Sequence, residues 1–257
     1  MAKQASTIID IIEINTGKVE FCIVGVTPFI CESMSYKAMT ELLLPKGRKT
    51  AAEKATTLKH DPYAEFRNSA YLNKNEKHPT YIDHLATAIK KCIASAAIDI
   101  PGASKAQLGR LMWVNSERIP IYGEPQIFMT IVRSADMNRT PDVRTRAIIP
   151  EWACKISLSF VQPILNVNAI ANLLAGSGLI NGIGGWRPQK GSGNYGQFRV
   201  CSENDPEFKR ITKLGRAKQI KAMENPVPYD EETEKLLDWY GEEIGRRGIN
   251  LKVVGGK

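Results

Sequence analysis

In the stretch AIIPEWACKISLSFV, residues 147–161, Trp152, Cys154, Ile156, Leu158 and Phe160 recur at every second position, separated by polar Lys155, Ser157 and Ser159 among others. A helix cannot gather those five side chains on one narrow stripe, whereas a strand alternates its side chains and places all five on one face. The chain is therefore expected to build a sheet with one buried and one polar face. Something apolar has to cover the buried side.

Candidates for that cover and for the partner strands follow from the rest of the chain. VEFCIVGVTPFI, residues 19–30, is rich in β-branched and aromatic residues and is stopped by Pro28, which predicts a first strand. In residues 81–100 Ile82, Leu85, Ile89 and Ile93 recur at steps of three and four, which predicts a helix ended by Pro101 and Gly102. ASKAQLGRLMWVN reads as a further short helix with Ser104 as its cap. Strand character returns at residues 118–135, as one long strand or as two pieces joined at Gly123. Residues 166–180 read as a helix with Asn168 as cap and with Gly176 and Gly178 at its end, and NYGQFRVC supplies a short closing strand.

Between the first strand and the first helix, residues 33–80 change character, with many lysines and two proline breaks, and read as an inserted basic subdomain. Removing that insertion leaves β-α-β-β-α-β. The expected class is α+β, a ferredoxin-like (RRM-like) core whose antiparallel sheet carries two helices on one face. The organisation read from the sequence is then an N-terminal segment and first strand over 1–32, the insertion over 33–80, the rest of the core over 81–201 with a glycine-rich loop at 182–196, and a charged tail over 202–257.

The loop GIGGWRPQKGSGNYGQF holds six glycines, Gly182, Gly184, Gly185, Gly191, Gly193 and Gly196, and no acidic residue. Glycine lets a backbone pass close to a ligand, and successive amides can form an anion-binding nest. Arg187 and Lys190 add charge, and Trp186 and Tyr195 offer surfaces on which bases can stack. A dinucleotide fingerprint needs its glycines after a strand and before a helix, and a Walker loop needs Gly-Lys followed by Ser or Thr. Neither arrangement is present, so the loop reads as a nucleic-acid contact or as a long structural connection with Trp186 plugging the core.

A ferredoxin-like domain with a glycine-rich loop between its last helix and last strand, here LLAGSGLINGIGGWRPQKGSGNYGQFRV, resembles the RAMP superfamily of CRISPR effector proteins. Within it the chain is most similar to the backbone subunit that polymerises along guide RNA. The resemblance covers about residues 17–201 as architecture, and it implies an RNA-binding palm with insertions acting as thumb or finger. RAIIPEWACKISLSF is also similar to prophage proteins, which keeps open a phage role such as single-strand annealing.

Two further basic regions suit an anionic polymer. The connector VRSADMNRTPDVRTRA carries Arg133, Arg139, Arg144 and Arg146, and arginine presents a rigid fork to phosphate. The insertion begins with Lys46, Arg48 and Lys49, with Tyr63, Phe66 and Tyr71 interleaved among its later charges. Lys and Arg number 35 against 27 Asp and Glu, a formal charge of +8 that favours an anionic partner. In the tail, KRITKLGRAKQIK holds six basic residues and no acid and DEETEKLLDWYGEEIG is strongly acidic, opposing blocks that suit self-association.

Cys22, Cys31, Cys92, Cys154 and Cys201 show no CxxC pairing and are accompanied only by His60, His78 and His84, so no metal site and no cofactor is expected. No run approaches the about 18 apolar residues of a membrane span, and the N-terminus lacks a secretory pattern, which makes a cytoplasmic setting the expectation. His78 and His84, with Tyr81 or Ser69, are the candidates for a metal-independent nuclease, and a structural or interaction protein of a phage or effector assembly is the other alternative. The leading expectation assigns no catalytic residue. It is a binder of single-stranded RNA or DNA that forms a homo-oligomer, extending to a helical filament, along the strand.

Overall fold

The protein's structure, a computed structural model, describes residues 12–34, 39, 42–44, 60–102, 104–133, 141–190 and 193–247. The chain begins with β1 (Asn15–Gly25) and β2 (Phe29–Ile30), then α1 (Pro62–Asn68), β3 (Tyr71–Leu72), β4 (Ile82–Leu85) and α2 (Ala86–Ala96). α3 (Lys105–Leu111), β5 (Met112–Val114), β6 (Arg118–Pro120), β7 (Gln126–Arg133), β8 (Pro141–Ile149) and β9 (Ala153–Gln162) follow. α4 (Val167–Ile180), β10 (Phe198–Cys201), α5 (Pro206–Thr212), α6 (Arg216–Glu224) and α7 (Glu231–Arg247) complete it.

The alternating stretch forms β9, and it lies in the middle of a four-stranded sheet of order β10-β1-β9-β5, antiparallel throughout. Trp152, Cys154, Ile156, Leu158 and Phe160 are each at most 1% exposed, so the period-two pattern does report a buried face. β1 meets it in register, Phe21 opposite Ile156 and Val19 opposite Leu158. α2 and α4 cover this face with Ile89, Cys92 and Ile93 from one helix and Ile170, Leu173 and Leu174 from the other. Burying a large aliphatic side chain in this way stabilises by about 1.5–3 kcal/mol. In chain order the four strands and two helices run β-α-β-β-α-β, and the fold is α+β and ferredoxin-like.

The second core strand is not the one expected. Residues 118–135 split at Gly123, which has φ of +125°. β6 then pairs with β4 in a three-stranded sheet β3-β4-β6, while β7 pairs with β8 in another, β2-β8-β7. The core position is taken by β5, with Met112 opposite Phe160. Three residues are too few to declare a period, so MWV reads as the end of the preceding helix. That helix, α3, is capped as expected by Ser104, whose side chain accepts from Gln107 N–H.

Two other boundaries move. Residues 81–100 divide into β4 and α2, because Ile82–Leu85 is flanked by a strand on each side and its Asp83 carboxylate, 2% exposed, is received there by Asn73 Nδ2 at 2.8 Å. α4 is capped by Asn166, whose side chain accepts from Ala169 N–H at 2.8 Å, and it runs through Gly176 and Gly178. Gly178 is small because β10 crosses there, against the Phe198 ring and carbonyl.

The polar face of the sheet is partly covered by α5, whose Phe208 and Ile211 pack on Cys22, Val24 and Ala153. α6 is anchored by Gln219, 1% exposed. Its Oε1 accepts from Tyr81 and Ile82 N–H, and its Nε2 donates to the carbonyls of Ile121 and Gly123. α7 buries Thr233, Leu237 and Tyr240 and leaves Trp239 exposed. Among the described residues no helix is long and apolar enough to cross a membrane.

Candidate nucleic-acid interface

The glycine-rich loop leaves α4 at Asn181 and does not hang free. Gly182, Ile183, Gly184, Gly185 and Gly196 are all buried. Four of these amides are committed to backbone partners: Gly182 N–H to Ser177 O at 3.0 Å, Ile183 N–H to Gly196 O at 2.9 Å, Gly185 N–H to Ile30 O at 2.9 Å and Gly196 N–H to Pro28 O at 2.8 Å. The loop thus seams the core sheet to β2. Gly184 has φ of +84°, and a Cβ there would stand 2.6 Å from Ile30 O. Gly196 has φ of +71°, and a Cβ there would collide with the Ile183 carbonyl. At both positions only glycine fits, and the reason lies in packing as well as in backbone freedom.

Trp186 sits at the outer bend with φ of +48°, a left-handed conformation that is uncommon for a bulky residue. It is half-buried. Its ring meets Phe128 of β7 edge-on, with centroids 6.2 Å apart, and Tyr195 lies 6.2 Å away. Phe128 in turn packs against Tyr229 at 5.4 Å. Trp186 and Tyr195 therefore form a small aromatic cluster over Ile30 and Ile148, separate from the main core.

Beyond that bend the loop faces the start of α2 across a pocket of about 200 Å³. Arg187, Gly184 and Gln189 form one wall, Thr87, Ala88 and Lys91 of α2 the other, and His84 of β4 belongs to the lining. The Arg187 guanidinium is fixed by two bonds to neutral partners, Nε to Gln189 Oε1 at 3.0 Å and Nη1 to Gly184 O at 2.9 Å. Its charge remains uncompensated by either. Lys190 lies exposed on the following turn, Pro188–Lys190. Glu32, an acidic residue of the lining, is paired with Arg146 at 3.2 Å.

His84 is 7% exposed, and its Nε2 has no hydrogen-bond partner among the described residues. Burial, reinforced by the nearby Arg187 charge, pushes its pKa down to about 4, so the ring is neutral at neutral pH. Phe29 stands edge-on to it, with centroids 5.1 Å apart.

Not all the residues expected to contact a strand come together here. Arg144 pairs with Asp142 at 3.3 Å on β8, and Arg133 is exposed at the end of β7. Lys46, Arg48, Lys49, Arg139 and Gly191 lie outside the described residues. Phe66 is fully buried in the core. The tail's basic block is largely engaged: Arg210 with Glu151 at 2.7 Å, Arg216 with the carbonyls of Thr80 and Asn73, and Lys218 with Glu124 at 3.6 Å. Among the other nuclease candidates, His78 is tied to the Thr80 carbonyl at 3.1 Å, Tyr81 lies under Arg216, and Ser69 Oγ donates to Phe66 O and accepts from Ala147 N–H. These contacts hold turns and strands in place.

Lys91 and the start of α2 were not singled out by the sequence, because a lysine on the outer face of an amphipathic helix carries no local signal. Cys31 and Cys92 are buried free thiols, pushed up by burial to about 12 and about 11. Among the described residues no group of three or more His, Cys, Asp or Glu could hold a metal ion.

No protein-family model matches this sequence, and no curated protein matches it. Among solved structures, the chain is similar to one in the "Cryo-EM structure of the Type III-B Cmr-beta bound to cognate target RNA", with 11% sequence identity and a TM-score of 0.37. The match covers 73% of this chain and 59% of that chain, so it spans less than two thirds of the other's length.

Proposed function

We propose that this protein binds single-stranded nucleic acid, RNA or DNA, along the mouth of the cleft between α2 and the glycine-rich loop, and that copies assemble side by side on the strand. The observation that carries this reading is that Arg187 and Lys91 line one cleft, with Lys190 exposed on the turn just after its Gln189 wall and Glu32 already paired, on a chain of net charge +8. Cations without acidic partners are what a phosphate backbone requires. A place in the RAMP superfamily is part of the proposal, supported by the ferredoxin-like order and by the loop's position between the last helix and the last strand. Leu42, Leu43 and Leu44 of the insertion are exposed, which supports a protein contact there.

The test is a titration of labelled oligo-uridine RNA and oligo-thymidine DNA, followed by anisotropy at low and high salt. Binding should weaken steeply with salt, with a log–log slope of about −2 for three phosphate contacts on a single strand. Absence of binding to both polymers at low salt overturns the reading. Electron microscopy of the protein with its strand tests the assembly, which should appear as arcs or helical filaments.

A second reading, metal-independent phosphodiester cleavage, is favoured by the placement of the neutral His84 ring in the same cleft. RNA products formed by the wild type and lost in His84→Ala would establish it. An intact substrate after long incubation would remove it.

A further inference from the structure

The pocket behind the cleft mouth has features that a chain of surface cations does not need. His84 Nε2 is buried without a partner among the described residues. A buried polar atom left unbonded is destabilising, and such an atom on a residue that lines a pocket points to a ligand that completes it. α2 begins beside it without a side-chain cap: Leu85 occupies the cap position, and Ala86 N–H is taken by the Glu117 carbonyl at 3.0 Å. Thr87 and Ala88 of the first turn line the pocket, so the positive end of an 11-residue helix faces into it. Arg187 stands on the opposite wall with its plane set by Gly184 and Gln189, and only two of its five N–H donors are used by those bonds.

We infer that this pocket is a binding site for one phosphate group, held between Arg187 and the first turn of α2, with His84 donating from Nε2 as the buried third contact. The inference rests on the nucleic-acid reading for the source of the phosphate, a backbone phosphodiester, but not for the chemistry. A free phosphate ester would satisfy the same donors. Lys91 adds charge from the solvent side, and Glu32 subtracts little because Arg146 compensates it. The loop's glycines acquire a second purpose. By letting the chain turn sharply against β2, they bring Gly184 O to where it orients the Arg187 fork.

A phosphate in the pocket gives His84 Nε2 the partner it lacks and places a negative charge beside the ring. The ionisable groups facing His84 are then Arg187 from the loop, Lys91 and Cys92 from α2, Glu32 after β2, Tyr71 from β3, and the phosphate itself. Of these only the phosphate is new on binding, so the His84 midpoint should rise from about 4.

The experiment is long-range proton–nitrogen NMR of the three histidine rings in the full chain, with inorganic phosphate in one arm and oligo-uridine RNA or oligo-thymidine DNA in the others. The His84 Nε2 signals should shift while those of His60 and His78 stay in place. Arg187→Gln should weaken the effect about tenfold or more, with a wild-type spectrum elsewhere showing that the variant is folded. If a strand binds by anisotropy and leaves His84 unmoved, the pocket inference is overturned and the nucleic-acid reading stands. If inorganic phosphate moves His84 and no strand binds, the phosphate site stands and its source is a free phosphate ester. If neither moves it, the inference is overturned.

Discussion

The glycine-rich loop and the basic block at the start of the tail are similar in composition, each offering cations on a polar stretch of chain, yet the fold uses them in opposite ways. In the tail, Arg210 is bonded to Glu151 and Lys218 lies near Glu124, while Arg216 holds two carbonyls of the β3–β4 region; just before the tail, Arg199 of β10 is bonded to the tail's Asp205 and Glu207. In the loop, Arg187 is bonded among the described residues to a carbonyl and a side-chain amide, with no carboxylate. Charge present in a sequence differs from charge available to a partner. The first is a count, and the second depends on which carboxylates the fold brings within reach.

The comparison can be broken most severely at its backbone. Gly196→Ala should destabilise the protein by about 3 kcal/mol, because the added Cβ meets the Ile183 carbonyl at a positive φ. Gly241→Ala in the tail's α7, where the backbone is helical and an added Cβ meets nothing within 4 Å, should instead gain about 1 kcal/mol, and urea unfolding measures both. Equal losses at the two sites would mean that the loop is no more tightly built than the tail.

Acid should separate the regions nearly as strongly. The folded His84 pKa, about 4, lies below the unfolded value near 6.5, so its contribution is intact above about pH 6.5 and is lost as pH falls. By pH 4 the loss reaches about 3 kcal/mol, since the unfolded chain takes up a proton that the native ring resists. Asp205 is held down to about 2, chiefly by its hydrogen bond from Arg199, so the tail's ion pair persists across that range. Denaturation of wild type and His84→Gln at pH 7 and pH 4 should show this slope in the wild type and not in the variant.

Smaller effects sharpen the contrast in binding. Arg187→Gln should weaken strand binding about tenfold and flatten the salt slope by about 0.7, one phosphate contact on a single strand. Arg210→Gln removes a solvent-exposed pair that adds little to stability and should leave binding unchanged in the same anisotropy assay. A matching loss from Arg210→Gln would show that the tail's cations do face the strand.

Much of this fold was legible where the pattern was long. Five alternating apolar residues in β9 and the helical spacing of α4 sufficed for the ferredoxin-like order. The sequence misled where an element was short or where tertiary pairing overrode local preference. Met112–Val114 offers too few residues to show alternation, and Ile82–Leu85 satisfies helical spacing while being paired on both edges as a strand. At the site, Arg187 and Lys190 could be named from composition, because a run of glycines with cations is conspicuous. Lys91 and the first turn of α2 were invisible, since their role depends on a loop about 90 residues away folding back onto them. His84 was noticed for its chemistry but assigned to a helix. Its strand position is what buries the ring.

The seam between the loop and β2 gives the molecule a lever. Gly185 and Gly196 are bonded to Ile30 and Pro28, Phe128 of β7 bears on Trp186, and Arg187 is the next residue along. A force that tilts the β7–β8 ladder against the core sheet would be delivered through one indole ring to the guanidinium at the cleft. Any coupling along that path is reciprocal by linkage: a neighbour docking on the ladder would change affinity at the cleft by the same factor as occupancy of the cleft changes affinity for the neighbour.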